Sequence, residues 1–218
     1  DGVGYLANIE LAGRYCEEKR NDPLKYYNRA LELYDSKGLR KTIASCLEER
    51  GRISEAADMY ASALPDSGAL ESLLKMDGPP EIVSASLIKY RRYRDAADYI
   101  KPKLSGNLDE RTEAALERGL GVALGQLGLY EDALPYLKKR CAAGASDQEE
   151  KWWYGRALEA LGQTESAKGV YASVGRSGAH RLGLILEGEG KLNEAAAMFV
   201  SSDEAVSVWR GACLYDRL

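Results

Sequence analysis

Residues 120–137 read LGVALGQLGLYEDALPYL, and this stretch decides the fold. In its first half Leu120, Ala123, Leu124 and Leu127 recur at the spacing of one face of an α-helix. Gly128 stops that helix, because glycine enters the left-handed conformation at little steric cost. Glu131 and Asp132 then open a second helix, where acidic side chains meet the positive end of the helix dipole. Ala133 and Leu137 follow one turn apart on its buried face. Such a hairpin has an apolar stripe and too little chain of its own to cover it. It predicts neighbours built on the same pattern.

The neighbours are present. An acidic or polar residue followed by alanine recurs at Glu55-Ala56, Asp95-Ala96, Asp132-Ala133, Ser166-Ala167 and Glu194-Ala195. Four residues after each alanine stands a large side chain: Tyr60, Ile100, Leu137, Tyr171 and Phe199. Nine before it stands leucine, at Leu47, Leu87, Leu124, Leu158 and Leu186. Twelve before it stands a small residue, at Ala44, Ser84, Gly121, Gly155 and Gly183. Five before it stands glycine at Gly51, Gly128, Gly162 and Gly190, with Arg91 as the exception. The small residue and the alanine let paired helices approach closely, and the large side chains fill the space that remains.

This arrangement resembles the tetratricopeptide pattern, with a leucine-small-x-x-large first helix and an alanine-x-x-x-aromatic second helix. The resemblance covers nearly the whole chain. It implies an all-α fold, a right-handed superhelix of about six helix pairs plus a terminal helix, as one domain over residues 1–218. Two departures mark the repeats as divergent. Arg40, Pro80, Glu117, Lys151 and Ala179 stand where the family often has tryptophan, and the closing proline is missing. The small residues are also 40, 37, 34 and 28 apart, against about 34 in the family.

Composition narrows the function. Thirty basic against 34 acidic residues give a formal charge of −4, which argues against a nucleic-acid binder. No apolar run is long enough to span a membrane, and no signal peptide is visible. Cys16, Cys46, Cys141 and Cys213 stand far apart without a Cys-x-x-Cys. They read as buried thiols rather than disulfides or ligands, which fits a reducing, cytoplasmic setting.

Along the chain, residues 1–16 read as a helix. Asn21-Asp22-Pro23 caps a second, which carries Tyr27, Leu31 and Tyr34 and stops near Gly38. Residues 65–80 interrupt the rhythm with PDSG, the short helix ALESLLKM and DGPP, the expected joint of the array. Residues 203–217 form one more first helix with no second helix after it. Its Val206, Trp209 and Leu214 suggest a fragment of a longer chain, or self-association through this helix.

Chemistry finds little support. The one histidine, His180, has no Cys/His cluster beside it, so no metal, cofactor or catalytic residue is expected. Gly119-x-Gly121-x-x-x-Gly125 lies inside a helix, where it cannot cradle a dinucleotide. The resemblance points instead to the first-helix face, which lines the groove of such solenoids. In register, Lys41, Arg118, Trp152, Trp153, Arg156, His180, Arg181 and Trp209 fall on or near it. Tryptophan and arginine are enriched at binding hot spots, so a protein or peptide partner with an acidic group is the expectation. The family's carboxylate clamp needs lysines and asparagines at fixed positions, and only Lys41 matches. The resulting expectation is a non-catalytic scaffold or adaptor. Two alternatives remain. Residues 153–162, WYGRALEALG, are similar to the superhelical arm of lytic transglycosylases, and the short C-terminal intervals suit a coat or transport subunit. If the small positions pack as read, Gly155→Leu lowers stability by roughly 1–3 kcal/mol or more, and unchanged thermal unfolding contradicts the reading.

Overall fold

A computed structural model of the chain describes residues 2–18, 22–144 and 146–216. The described residues form fourteen helices and no strand. They fall into two compact units, Asp1–Tyr99 and Ile100–Leu218. The first holds α1 (Gly2–Glu18), α2 (Leu24–Leu33), α3 (Lys37–Glu49), α4 (Ile53–Ser62), α5 (Ser67–Lys75), α6 (Pro80–Lys89) and most of α7 (Tyr93–Lys103). There α1 packs on α2, α3 on α4, and α4 also on α5 and α6. The second unit holds α8 (Glu110–Gln126), α9 (Tyr130–Ala142), α10 (Gln148–Ala160), α11 (Thr164–Val174), α12 (Arg176–Gly188), α13 (Leu192–Ser201) and α14 (Ala205–Tyr215). Each of these packs on the next.

Helix starts follow two rules. Several helices that come out of a longer loop carry a side-chain cap. Ser36, Asp66, Asp109 and Asp147 accept from the N–H groups of Leu39, Ala69, Thr112 and Glu150 at the starts of α3, α5, α8 and α10. Second helices leave the hairpin turn with no such cap at Arg52, Leu129, Gln163 and Lys191. There Glu55, Glu131, Glu165 and Glu194 place negative charge in the first turn instead.

Five of the hairpin turns among the described residues are one motif repeated. The N–H groups of Arg52, Arg92, Leu129, Gln163 and Lys191 donate to the carbonyls of Leu47, Leu87, Leu124, Leu158 and Leu186 at 2.8–3.0 Å. This is the six-to-one bond of a Schellman turn, which needs a left-handed residue just before the donor. Gly51, Gly128, Gly162 and Gly190 supply it at φ of 72°, 74°, 73° and 77°. Arg91 is held in the same turn at φ 59°, with a side chain that disfavours it.

The buried positions agree with the repeat. Ala56, Ala96, Ala133, Ala167 and Ala195 are fully buried, as are Ile100, Leu137, Tyr171 and Phe199. Each small residue of the second unit receives the large side chain sixteen positions later. A Cβ on Gly121, Gly155 or Gly183 would stand 2.9, 2.6 or 2.7 Å from Leu137, Tyr171 or Phe199. What the small position admits most closely is thus the facing side chain, more than the second helix's backbone.

Two expectations are corrected. The helix expected to run to Gly38 ends at Leu33, because Tyr34 is extended and Ser36 caps α3, which takes in Gly38. Asn21 lies outside the described residues; Asp22 accepts from the N–H of Leu24 at 3.0 Å. The cysteines are not all thiols either. Cys16 of α1 and Cys46 of α3 form a disulfide across 30 residues, and Cys141 and Cys213 are half-buried free thiols. Both bonded residues stand on helix faces that meet only when one hairpin lies against the next, so spacing along the chain cannot reveal the pair. Arg91→Gly relieves a left-handed non-glycine residue. Its expected effect is about 0.5–1 kcal/mol of added stability, read as a higher denaturant midpoint; a fall contradicts the turn assignment.

Candidate binding face of the second unit

Numbered from the small residue of each first helix, position +4 holds Glu48, Glu159 and Glu187. The large tyrosine of the same hairpin reaches it. The Tyr60 hydroxyl donates to Glu48 Oε2 at 3.0 Å and the Tyr171 hydroxyl to Glu159 Oε2 at 2.7 Å. Burial, reinforced by the carboxylate, pushes the Tyr60 hydroxyl up to about 12 and raises that of Tyr171 further.

Position −2 of the next first helix meets the same point. Arg181 of α12 donates to Glu159 of α10 at 2.5 and 3.2 Å, and Arg156 adds an ion pair to Glu159 at 3.5 Å. Burial opposes the Arg181 charge, but Glu159 outweighs it and raises the guanidinium pKa. In α10 position −2 is Trp153, and +4 of α8 is Gly125. A Cβ there would stand 2.8 Å from the Trp153 ring. Successive first helices are therefore keyed by indole over glycine at one junction and guanidinium on carboxylate at the next. At α14, Arg210 stands 2.7 Å from Glu187 and over the Phe199 ring, and Trp209 at position −2 is left 70% exposed.

Arg118 of α8 is paired as well. It donates to Asp147 at 2.7 and 3.0 Å and to Glu149 at 3.2 Å. Burial alone would raise the Asp147 carboxyl, but the Glu150 N–H and Arg118 hold it below its ordinary value. Glu150 is buried beneath them, with Arg140 Nε 2.6 Å from its Oε1, and it closes a capping box with Asp147.

The structure thus brings Arg118, Trp152, Trp153, Arg156, His180 and Arg181 onto α8, α10 and α12. Lys41 belongs to the first unit, where its ammonium lies against Gly68 in α5. Trp152 and Trp153 meet edge to face at 4.7 Å between ring centroids, and Arg156 stands 5.8 Å from the Trp152 ring. With Gln126, Gln148, Glu149 and Ser177 the two indoles line an open cleft of about 470 Å³. The sequence reading named the indoles and missed Gln126, Gln148, Glu149 and Glu159. The signal for Glu159 was there: Glu48/Tyr60 and Glu159/Tyr171 repeat the same twelve-residue spacing.

His180, Ser207 and Glu204 come together without making a triad. Ser207 Oγ and Glu204 Oε2 both face Nδ1 of His180, at 2.5 and 3.5 Å. A triad needs the nucleophile and the acid on opposite ring nitrogens, and Ser207 is fully buried. The contact fastens α14 to α12.

Hairpins that pack in sequence, a repeated Schellman turn and small-to-large pairing at fixed register define a tetratricopeptide-type α-solenoid. Solved structures share this fold. The chain is similar to the crystal structure of YrrB, described as a TPR protein with an unusual peptide-binding site, at 19% identity over 84% of this chain and 96% of that one, with a TM-score of 0.54. It is also similar to MamA AMB-1, at 18% identity over 78% and 91%, with a TM-score of 0.50. No protein-family model matches the chain, and no curated protein does.

The third copy of the glutamate register lacks its hydroxyl, since Phe199 stands where the other two have tyrosine, and Glu187 Oε2 accepts no well-aligned hydrogen bond. Phe199→Tyr is expected to add about 0.5–1.5 kcal/mol, measured by thermal unfolding; a loss shows that the ring tip does not point at Glu187.

Proposed function

We propose that the protein is a non-catalytic scaffold that holds a protein or peptide partner against the first-helix face of its second unit. The observation that carries this is the Trp152–Trp153 cleft, where two half-buried indoles stand open beside amide groups. Indoles of this kind anchor interfaces. The fold supports an interaction role in general, and the peptide-binding site described for YrrB lends the reading analogy. An acidic partner gains no support from the arginines, because Arg118, Arg156 and Arg181 already face carboxylates of the chain itself.

A second surface favours self-association. Val206 and Trp209 of α14 are 74% and 70% exposed, and they border a cleft of about 290 Å³ with Arg210, Cys213 and Leu214. Among the described residues no helix is long and apolar enough to cross a membrane. The disulfide supports an oxidising compartment over the cytoplasm.

Trp152→Ala is expected to reduce recovery of the partner in affinity capture from the source cell at least tenfold, with helical circular dichroism retained; undiminished capture rejects the cleft. Trp209→Glu is expected to remove any concentration-dependent rise in sedimentation coefficient, and a wild-type chain that stays monomeric throughout rejects self-association.

A further inference from the structure

In the second unit every second helix packs along the first helix that follows it: α9 on α10, α11 on α12, α13 on α14. The first hairpin departs from this, for α2 barely meets α3. An open cleft of about 290 Å³ lies between α2, α3 and α4, lined by Leu24 and Asn28 of α2, Arg40 and Leu47 of α3, and Asp58 and Met59 of α4. In a solenoid each hairpin is held only by its neighbours, so a hairpin with a thin interface to the next has little on that side to keep it docked. Among the described residues, two polar links cross this interface. Arg50 donates to the Tyr15 carbonyl at 3.0 Å, and Arg52 pairs with the exposed Asp22 at 3.1 Å. Tyr27 is buried near Glu17 and Glu49, and its hydroxyl is raised chiefly by that burial. A covalent link joins α1 to α3 as well, the Cys16–Cys46 disulfide.

We propose that this disulfide is a redox fastener, and that its reduction releases the α1–α2 hairpin from α3. A dithiol is the reductant. One of its thiolates attacks a sulfur of the pair, forming a mixed disulfide and expelling the other cysteine as a thiolate, which takes up a proton. The second thiol of the reductant then displaces the remaining cysteine and closes its own disulfide. Two electrons pass from the dithiol to the protein, and two protein thiols result. Cys16 and Cys46 are 7% and 5% exposed, so attack follows a local fluctuation that uncovers one sulfur while the bond is still closed, and loss of the bond then leaves the apolar flank of α3 accessible. A reducing environment thereby converts a closed junction between α1–α2 and α3 into an open one.

The test is hydrogen exchange by mass spectrometry on the full chain, with and without dithiothreitol, beside Cys16→Ala measured without reductant. Thiol titration of the denatured, unreduced chain is expected to find two thiols, those of Cys141 and Cys213; four thiols overturn the proposal. With dithiothreitol, and equally in Cys16→Ala, amides of α1 and α2 are expected to exchange at least tenfold faster while α8–α14 keep their rates. Unchanged exchange in α1 and α2 once four thiols titrate overturns it, as does an equal acceleration throughout the chain.

Discussion

The second unit depends on one contact made three times: a large side chain of a second helix seated where a first helix has no side chain. Gly121, Gly155 and Gly183 leave room that Leu137, Tyr171 and Phe199 fill. The interior is dense enough that an added methyl group has no free space there. A small residue on one helix therefore calls for a large partner on the other. The contact also sets the axial position of the two helices, because the large side chain fits where the small residue leaves room. The Schellman turn is its hydrogen-bonded counterpart, fixing the distance around the hairpin so that leucine, turn and alanine arrive in phase.

Stacking between hairpins uses a different chemistry. Hydrophobic burial holds neighbours together without choosing a register, whereas paired charges and a ring over glycine do choose one. Glu159 accepts from the tyrosine of its own hairpin and from an arginine of the next, so one carboxylate ties together the inside of a repeat and the junction between repeats. Leaving such a group half-buried and unpaired is costly, which makes a slip of one helix turn unfavourable. The same economy limits what the face can do with its arginines. Charge spent on internal pairing is not free for a partner, and the open groups of the surface are the tryptophans and their amide neighbours.

Arg91 illustrates how the repeat overrides local preference. An arginine disfavours the left-handed conformation by roughly 1–2 kcal/mol, yet it adopts it because the flanking helices require the turn. At Ser36 the balance goes the other way. A local cap starts α3 early, and the helix that the apolar spacing of Tyr27, Leu31 and Tyr34 suggested is cut short at Leu33. Period alone cannot see this, because the capping hydroxyl acts on backbone groups rather than on the apolar stripe.

The sequence by itself determined the hairpins, their turns and the positions that meet within each, because those depend on residues close along the chain whose sizes are complementary. It also placed Trp152, Trp153, Arg156 and Arg181 on the correct helices. Only the tertiary structure decided which of them stay open. The pairing of Arg181 with Glu159, the seat of Trp153 over Gly125 and the bond between Cys16 and Cys46 each join neighbouring hairpins. Their separations of 22, 28 and 30 residues vary with loop length, and no local period encodes them.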